Sequence, residues 1–233
     1  MLTLRGHSFF PGPLGAGSTV IDLGAHRGEF SAQVRARFGC RCIAVEANPN
    51  LIEHVRKVEG VQAHGCALAG ADGEMTLHYS ANPEASSIKA GPMDATGDSA
   101  VVPARSLASL LAEAGVTRVD LLKVDIEGAE VEMFDSLSDD ELCRIDQITI
   151  EWHDFSGAVS ADEIARIAGR LDRVGFEAFR FGADNMNWLF ARRDAPGLGR
   201  LRRKYVQLFV RPARGLLHAF RRSTGVQVGL SNE

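Results

Sequence analysis

The chain has 233 residues, of which 45% are hydrophobic and 24% charged. That is the composition of a soluble globular protein with one domain, or one domain and an appendage, and it excludes a disordered or disulfide-scaffold chain. The net charge of −4 is uneven: residues 1–191 hold 16 Lys and Arg against 28 Asp and Glu, whereas residues 192–233 hold 10 against 2. No run approaches the roughly 18–20 apolar residues a membrane span needs. Residues 1–17, with one Arg and a broken apolar run, do not read as a signal peptide.

The elements are predicted in chain order as follows. Ser18 to Gly24 is a short apolar run ending in an acid and a glycine, the pattern of a buried parallel strand meeting a turn. A helix follows from about Gly28 to Phe38, with Phe30, Val34 and Phe38 on one face and Gly39 as its stop. Cys42 to Glu46 is a second strand. Asn48 and Pro49 open another helix as N-cap and first helical residue. A third strand lies near Val61 to Leu68. Asp72-Gly73 is a hairpin signal ahead of an alternating strand from Glu74 to Tyr79. Residues 81–100 read as a long loop.

Ser106 caps a short helix ending at Gly115. Val119 to Asp125 is a further strand, a helix runs from Glu127 to about Leu137, and Ile145 to His153 is a fifth parallel strand. Ser160-Ala-Asp-Glu163 is a capping box for a helix to Val174. Phe176 to Phe181 and Asn187 to Arg193 form a closing strand pair. Alternating strands and helices argue for a doubly wound α/β sheet, mostly parallel, with an antiparallel hairpin at its end. The four Cys, at 40, 42, 66 and 143, lack zinc-ribbon spacing and read as small core residues in a reducing compartment.

Asp22-Leu-Gly24-Ala-His26-Arg-Gly28 falls between a strand and a helix. Gly24 allows a sharp turn, and Gly28 allows a ligand near the helix N-terminus. The dinucleotide fingerprint needs glycine where His26 and Glu29 stand, so a pyrophosphate is disfavoured. Glu46 ends the second strand, where an acid can accept ribose hydroxyls. This combination suits S-adenosylmethionine, with Asp22 supporting the turn and the cationic amino-acid end. A tight strand–helix turn serving another ligand is the alternative.

Asp120 to Glu130 is the most unusual stretch. Alternate side chains of a strand share a face, so Lys123 and Asp125 point the same way, as do Glu151 and His153. If the two strands are neighbours, Lys123, Asp125, Glu127, Glu151 and His153 converge at the end of a buried sheet, which is costly unless they are paired or used. His153 is the candidate general base, oriented by Glu151, with Lys123 holding Asp125 or a substrate oxygen. A structural ion network is one alternative. A divalent metal on Asp125, Glu151 and His153 is another, and no metal ligands are assigned.

Val20-Ile-Asp-Leu-Gly-Ala-His-Arg-Gly-Glu-Phe30, Val45-Glu-Ala-Asn-Pro49, Leu122-Lys-Val-Asp-Ile-Glu-Gly-Ala-Glu130 and Ile150-Glu-Trp-His153 resemble the FkbM family of S-adenosylmethionine-dependent methyltransferases over about residues 18–193. The resemblance implies a class I methyltransferase (Rossmann-like) fold. It implies methyl transfer to a hydroxyl on a sugar, glycolipid, polysaccharide or polyketide-type acceptor. It places the cofactor on Asp22, Gly24, His26, Gly28 and Glu46, the adenine edge at Cys66-Ala67, and Asp125 at the methyl-transfer mouth.

Residues 1–17 are then a short N-terminal segment, 18–193 the methyltransferase domain and 194–233 a basic amphipathic helical tail. Leu201, Tyr205, Leu208 and Phe209 share a helical face, and Leu216, Leu217 and Phe220 repeat it among arginines. Such a tail suits an anionic membrane surface through residues 200–222, packing on the acidic body, or a homodimer contact. A cytoplasmic protein, peripheral to the inner face of the membrane, is the corresponding location. Nucleic acid is disfavoured because no Asn/Asp-Pro-Pro-aromatic motif follows the fourth parallel strand. A non-catalytic cofactor-binding protein docked through its tail is the competing function.

Overall fold

The computed structural model describes residues 1–79, 86–87, 99–153, 159–181 and 187–199. Most of the expected 81–100 loop and the whole basic tail from Arg200 lie outside the described residues. A two-stranded hairpin, β1 (Leu2–Leu4) and β2 (His7–Phe9), comes first. Its turn places Arg5 and Gly6 at φ 46° and 85°, the left-handed pair that two-residue hairpin turns demand. The sequence pattern missed this hairpin because three-residue strands carry too little alternation to register.

The central sheet is built from β3 (Thr19–Leu23), β4 (Arg41–Val45), β5 (Val61–His64), β10 (Leu121–Val124), β11 (Gln147–Glu151), β12 (Phe176–Phe181) and β13 (Asn187–Arg192). Their order is β12-β13-β11-β10-β3-β4-β5. The β11–β10–β3–β4–β5 run is parallel, and β13 enters antiparallel between β11 and β12. The connection order reverses between β3 and β10, and open α/β sheets bind ligands in the crevice at such a switch point.

Helices cover both faces. α1 (Glu29–Phe38) and α2 (Pro49–Val55) lie on one; α3 (Leu107–Glu113), α4 (Glu130–Ser136), α5 (Asp139–Leu142) and α6 (Ala161–Arg173) lie on the other. Strand alternation divides the core accordingly. Ile21, Leu23, Leu122 and Val124 pack with Phe134, Trp152 and Ile167, while Val20 and Leu121 pack with Phe9, Phe10, Phe30 and Phe179. Among the polar members of that second face are Asp22 and Lys123, fully and almost fully buried. The hairpin segment is locked on by Gln147, whose side chain accepts from the Phe10 amide at 2.8 Å and donates to the Phe10 carbonyl at 3.2 Å.

Three local expectations are corrected. The third strand breaks at Gly65, and its continuation β6 (Ala67–Leu68) leaves for a second sheet of order β6-β9-β7-β8. There β9 (Ser99–Arg105) lies between β6 and β7 (Gly73–Tyr79), and β8 (Ser86–Ser87) pairs with β7. Asp72-Gly73 therefore joins no hairpin to β6. Asp72 instead accepts the Ser106 amide at 2.9 Å, at the start of α3. The helix expected from Glu127 begins at Glu130, because Glu127 and Gly128 both have positive φ (50° and 99°).

Candidate active site

A cleft opens at the switch point, where open α/β sheets take their ligands. Gly24, His26, Glu46, Cys66, Ala67 and Asp125 line it, together with apolar Leu51, Leu77 and Ile126 and with Glu127. Gly24 makes the crevice possible. Its φ is 75°, and a Cβ there would stand 1.7 Å from the Asp125 carbonyl oxygen, so only glycine lets the two strand ends approach this closely. Glu46, 8% exposed, is fixed by two backbone amides: His26 donates to Oε2 at 2.7 Å and Asn48 to Oε1 at 2.8 Å. Burial holds its carboxyl above the usual range.

Asp22 and Gly28 line neither this cleft nor its neighbour. Asp22 is fully buried beneath the loop, accepting from Ser31 Oγ at 2.7 Å and pairing with Lys123 Nζ at 3.0 Å. The missing Cβ of Gly28 faces Val55 and Val58, so this glycine lets the start of α1 pack closely against the end of α2 and the residues after it. Lys123 lines the neighbouring cleft and also braces the loop: its Nζ donates to the Gly24 carbonyl at 2.6 Å and lies 3.4 Å from Asp125 Oδ2. Burial opposes its charge, but Asp22 and Asp125 outweigh burial and raise its pKa. Burial would raise Asp125, yet Lys123, His7 and His153 hold it well below the ordinary carboxylate range.

β10 and β11 are neighbours, so the acids and His153 do meet. His153 Nε2 lies 3.6 Å from Asp125 Oδ1 and 3.3 Å from Glu127 Oε2. The group that orients it is Glu130, in place of the expected Glu151: His153 Nδ1 donates to Glu130 Oε1 at 2.7 Å. Glu151 stands on the other side of Asp125, with His7. Burial works against a charged His153, but Glu130, Glu127 and Asp125 outweigh it and push the pKa up to about 9. Burial pushes Glu127 up to about 7, His153 opposing and Asp125 adding to the rise.

Sequence reading missed two members. Glu130 carried a signal: it shares a helical face with Met133, Phe134 and Leu137, and a charge on an apolar stripe asks for a partner. His7 carried none. It arrives with the β1–β2 hairpin, 1% exposed, packed edge-on to Phe30, with Nε2 3.5 Å from Asp125 Oδ2. It lines a second cleft with Arg5, Arg27 and Phe30, which meets the first at Gly24, His26 and Asp125. Among the described residues the non-glycine positions with positive φ are Arg5, His26 and Glu127, and each lines one of these clefts. Strained backbone concentrated at a site is a mark of function.

The family profile described as Methyltransferase FkbM domain matches residues 22–178, more than half of the chain. The chain belongs to the FkbM methyltransferase family. Among curated proteins it is 28% identical over 165 residues to Methyltransferase 1 of Beauveria bassiana, covering 60% of this chain and 66% of that one. It is 25% identical over 201 residues to the AMB antimetabolite synthetase AmbE of Pseudomonas aeruginosa, covering 69% of this chain and 10% of the synthetase. The FkbM chain thus spans a tenth of one relative and just under two thirds of the other. Solved structures with a similar course include a precorrin-6y C5,15-methyltransferase of Geobacter metallireducens (TM-score 0.44, 12% identity, 78% of this chain and 82% of that). The Methanococcus jannaschii fibrillarin pre-rRNA processing protein is another (TM-score 0.45, 11% identity, 82% and 72%).

S-adenosylmethionine is the methyl donor of this family, and the FkbM cleft fits it. A fixed carboxylate, Glu46, closes the second strand where ribose hydroxyls can be accepted. Leu51, Leu77 and Ile126 beside Cys66-Ala67 give the apolar walls that a purine requires. No helix among the described residues is long and apolar enough to cross a membrane.

Proposed function

We propose that this FkbM-family chain methylates a hydroxyl of a sugar, glycolipid, polysaccharide or polyketide-type acceptor. The supporting observation is the placement of Asp125 and Glu127 in the wall of the cofactor cleft, with His153 Nε2 3.6 Å from the first and 3.3 Å from the second. Bound S-adenosylmethionine supplies an electrophilic methyl group on a sulfonium. The chain's own residues do the rest. Glu46 and the apolar walls hold the donor. Lys123 ties the Gly24 turn to Asp125, which sets the distance between cofactor loop and acid. Asp125, Glu127 and His153 face the acceptor, orient its hydroxyl and draw off its proton, because a neutral alcohol is a weak nucleophile.

The test is transfer of a labelled methyl group to a panel of free sugars, glycolipids and macrolide hydroxyls. His153→Ala is expected to lower kcat about 10²–10⁴-fold while the affinity for S-adenosylmethionine stays within about twofold. A label recovered on nitrogen overturns the hydroxyl assignment. Cofactor binding with no transfer to any acceptor favours the non-catalytic reading.

A further inference from the structure

We propose that Asp125, Glu127 and His153 bind a divalent first-row transition-metal ion at the mouth of the cofactor cleft, with Glu130 behind His153 as its outer support. This deepens the reading of that mouth as the place where the acceptor hydroxyl sits, and it rests on that reading for the ion's use, though not for its binding. One carboxylate oxygen from each acid and a nitrogen of His153 lie within 4.8 Å of one another. With bonds of about 2.0–2.2 Å, neighbouring ligands of an ion stand roughly 3 Å apart, and His153 Nε2 is already 3.3 Å and 3.6 Å from the two acids. One imidazole with two carboxylates is a donor set for manganese, iron, cobalt or zinc.

The surroundings point independently to a cation. A metal-bound imidazole almost always gives its second nitrogen to a carboxylate, which fixes ring and tautomer. Glu130 does this at 2.7 Å and leaves Nε2 aimed at Asp125 and Glu127. Glu130 is fully buried, and its Oε2 has no hydrogen-bond partner. A buried carboxylate with an unanswered oxygen is costly unless positive charge is held close by. Lys123 pairs with Asp22 and Asp125, while Asp125, Glu127 and Glu130 gather around His153.

A second triad, His7, Asp125 and Glu151, is as compact, but it fits an ion less well. The Nδ1 of His7 is buried without a partner, so ligation through Nε2 would leave a buried N–H unanswered. The Asp125 oxygen facing His7 also lies 3.4 Å from the Lys123 ammonium. On the His153 side an ion would place positive charge beside the acceptor oxygen and favour loss of its proton to water.

The experiment uses the full chain, freed of metal with a chelator and titrated with Mn²⁺ alone, followed by loss of the free-ion paramagnetic resonance signal. One ion per chain is expected. Glu127→Gln and His153→Gln should each weaken binding at least about tenfold, whereas His7→Gln should leave it within about twofold, all three with wild-type circular dichroism. No binding to the wild type at about 1 mM Mn²⁺, a millimolar interaction being the weakest that matters here, overturns the proposal. So does equal affinity in Glu127→Gln, or loss of binding in His7→Gln alone. Calorimetry with S-adenosylmethionine on the same metal-free samples separates the two readings. Cofactor binding without ion binding removes the ion and leaves methyl transfer standing; ion binding without cofactor binding does the reverse.

Discussion

His153 and Glu46 are both buried polar groups at the ends of parallel strands, but neighbours give them opposite tasks. His153 is surrounded by acids and gathers positive charge. Glu46 is held by two backbone amides, so its two oxygens are fixed in direction while keeping lone pairs for a ligand. Glu46→Ala removes those acceptors at the cleft wall. The affinity for S-adenosylmethionine, measured by calorimetry, is expected to fall roughly 10–100-fold, the worth of one or two hydrogen bonds to a charged group. Unchanged affinity would refute its assignment to the ribose. At this scale the sequence could name Glu46, His26 and Asp125 because strand ends are readable from local pattern. It misassigned the partner of His153, since i, i+2 alternation along β11 pointed to Glu151 while a helix from across the site delivered Glu130.

At the scale of elements, local chemistry was decisive wherever caps were strong. Ser160 accepts the Glu163 amide, and the Glu163 carboxylate accepts the Ser160 amide at 2.8 Å, so α6 starts where the capping box lies. Ser160→Ala is expected to destabilise the fold by about 1 kcal/mol, read as a lower urea midpoint with an unchanged slope. Ile164, Ile167 and Leu171 keep the helix docked in that variant. Where caps were absent the reading slipped. α4 has no side-chain cap, and two left-handed residues precede it. That turn carries Glu127 into the cleft, so the late start of α4 and the shape of the mouth are one feature. β9 was overlooked because its partners, β6 and β7, lie more than twenty residues away, and pairing of that range leaves no periodic mark.

For the molecule as a whole, the N-terminal hairpin is the part that composition could not foretell. Phe9 and Phe10 are fully buried, and Phe10 meets Phe179 edge-to-face at 5.4 Å, tying the first residues to β12 at the far edge of the sheet. Phe10→Ala should cost about 3–5 kcal/mol, measured by denaturant unfolding. A loss under about 1 kcal/mol would mean that the segment docks only loosely. The same docking brings His7 against Asp125, so the stability of the hairpin and the electrostatics of the site are linked.

The sequence alone determined the alternation of strands and helices, the capped helix starts, the glycine turn after β3 and the run of acids after β10. Each of these is written in neighbours a few residues apart. The tertiary structure decided the rest. It split the third strand between two sheets, buried Asp22 beneath the loop against Lys123 and Ser31, and brought His7 and Glu130 to a cluster whose other members lie at the ends of β10 and β11. Burial and long-range pairing fix the charge of a side chain, and neither is carried by local spacing.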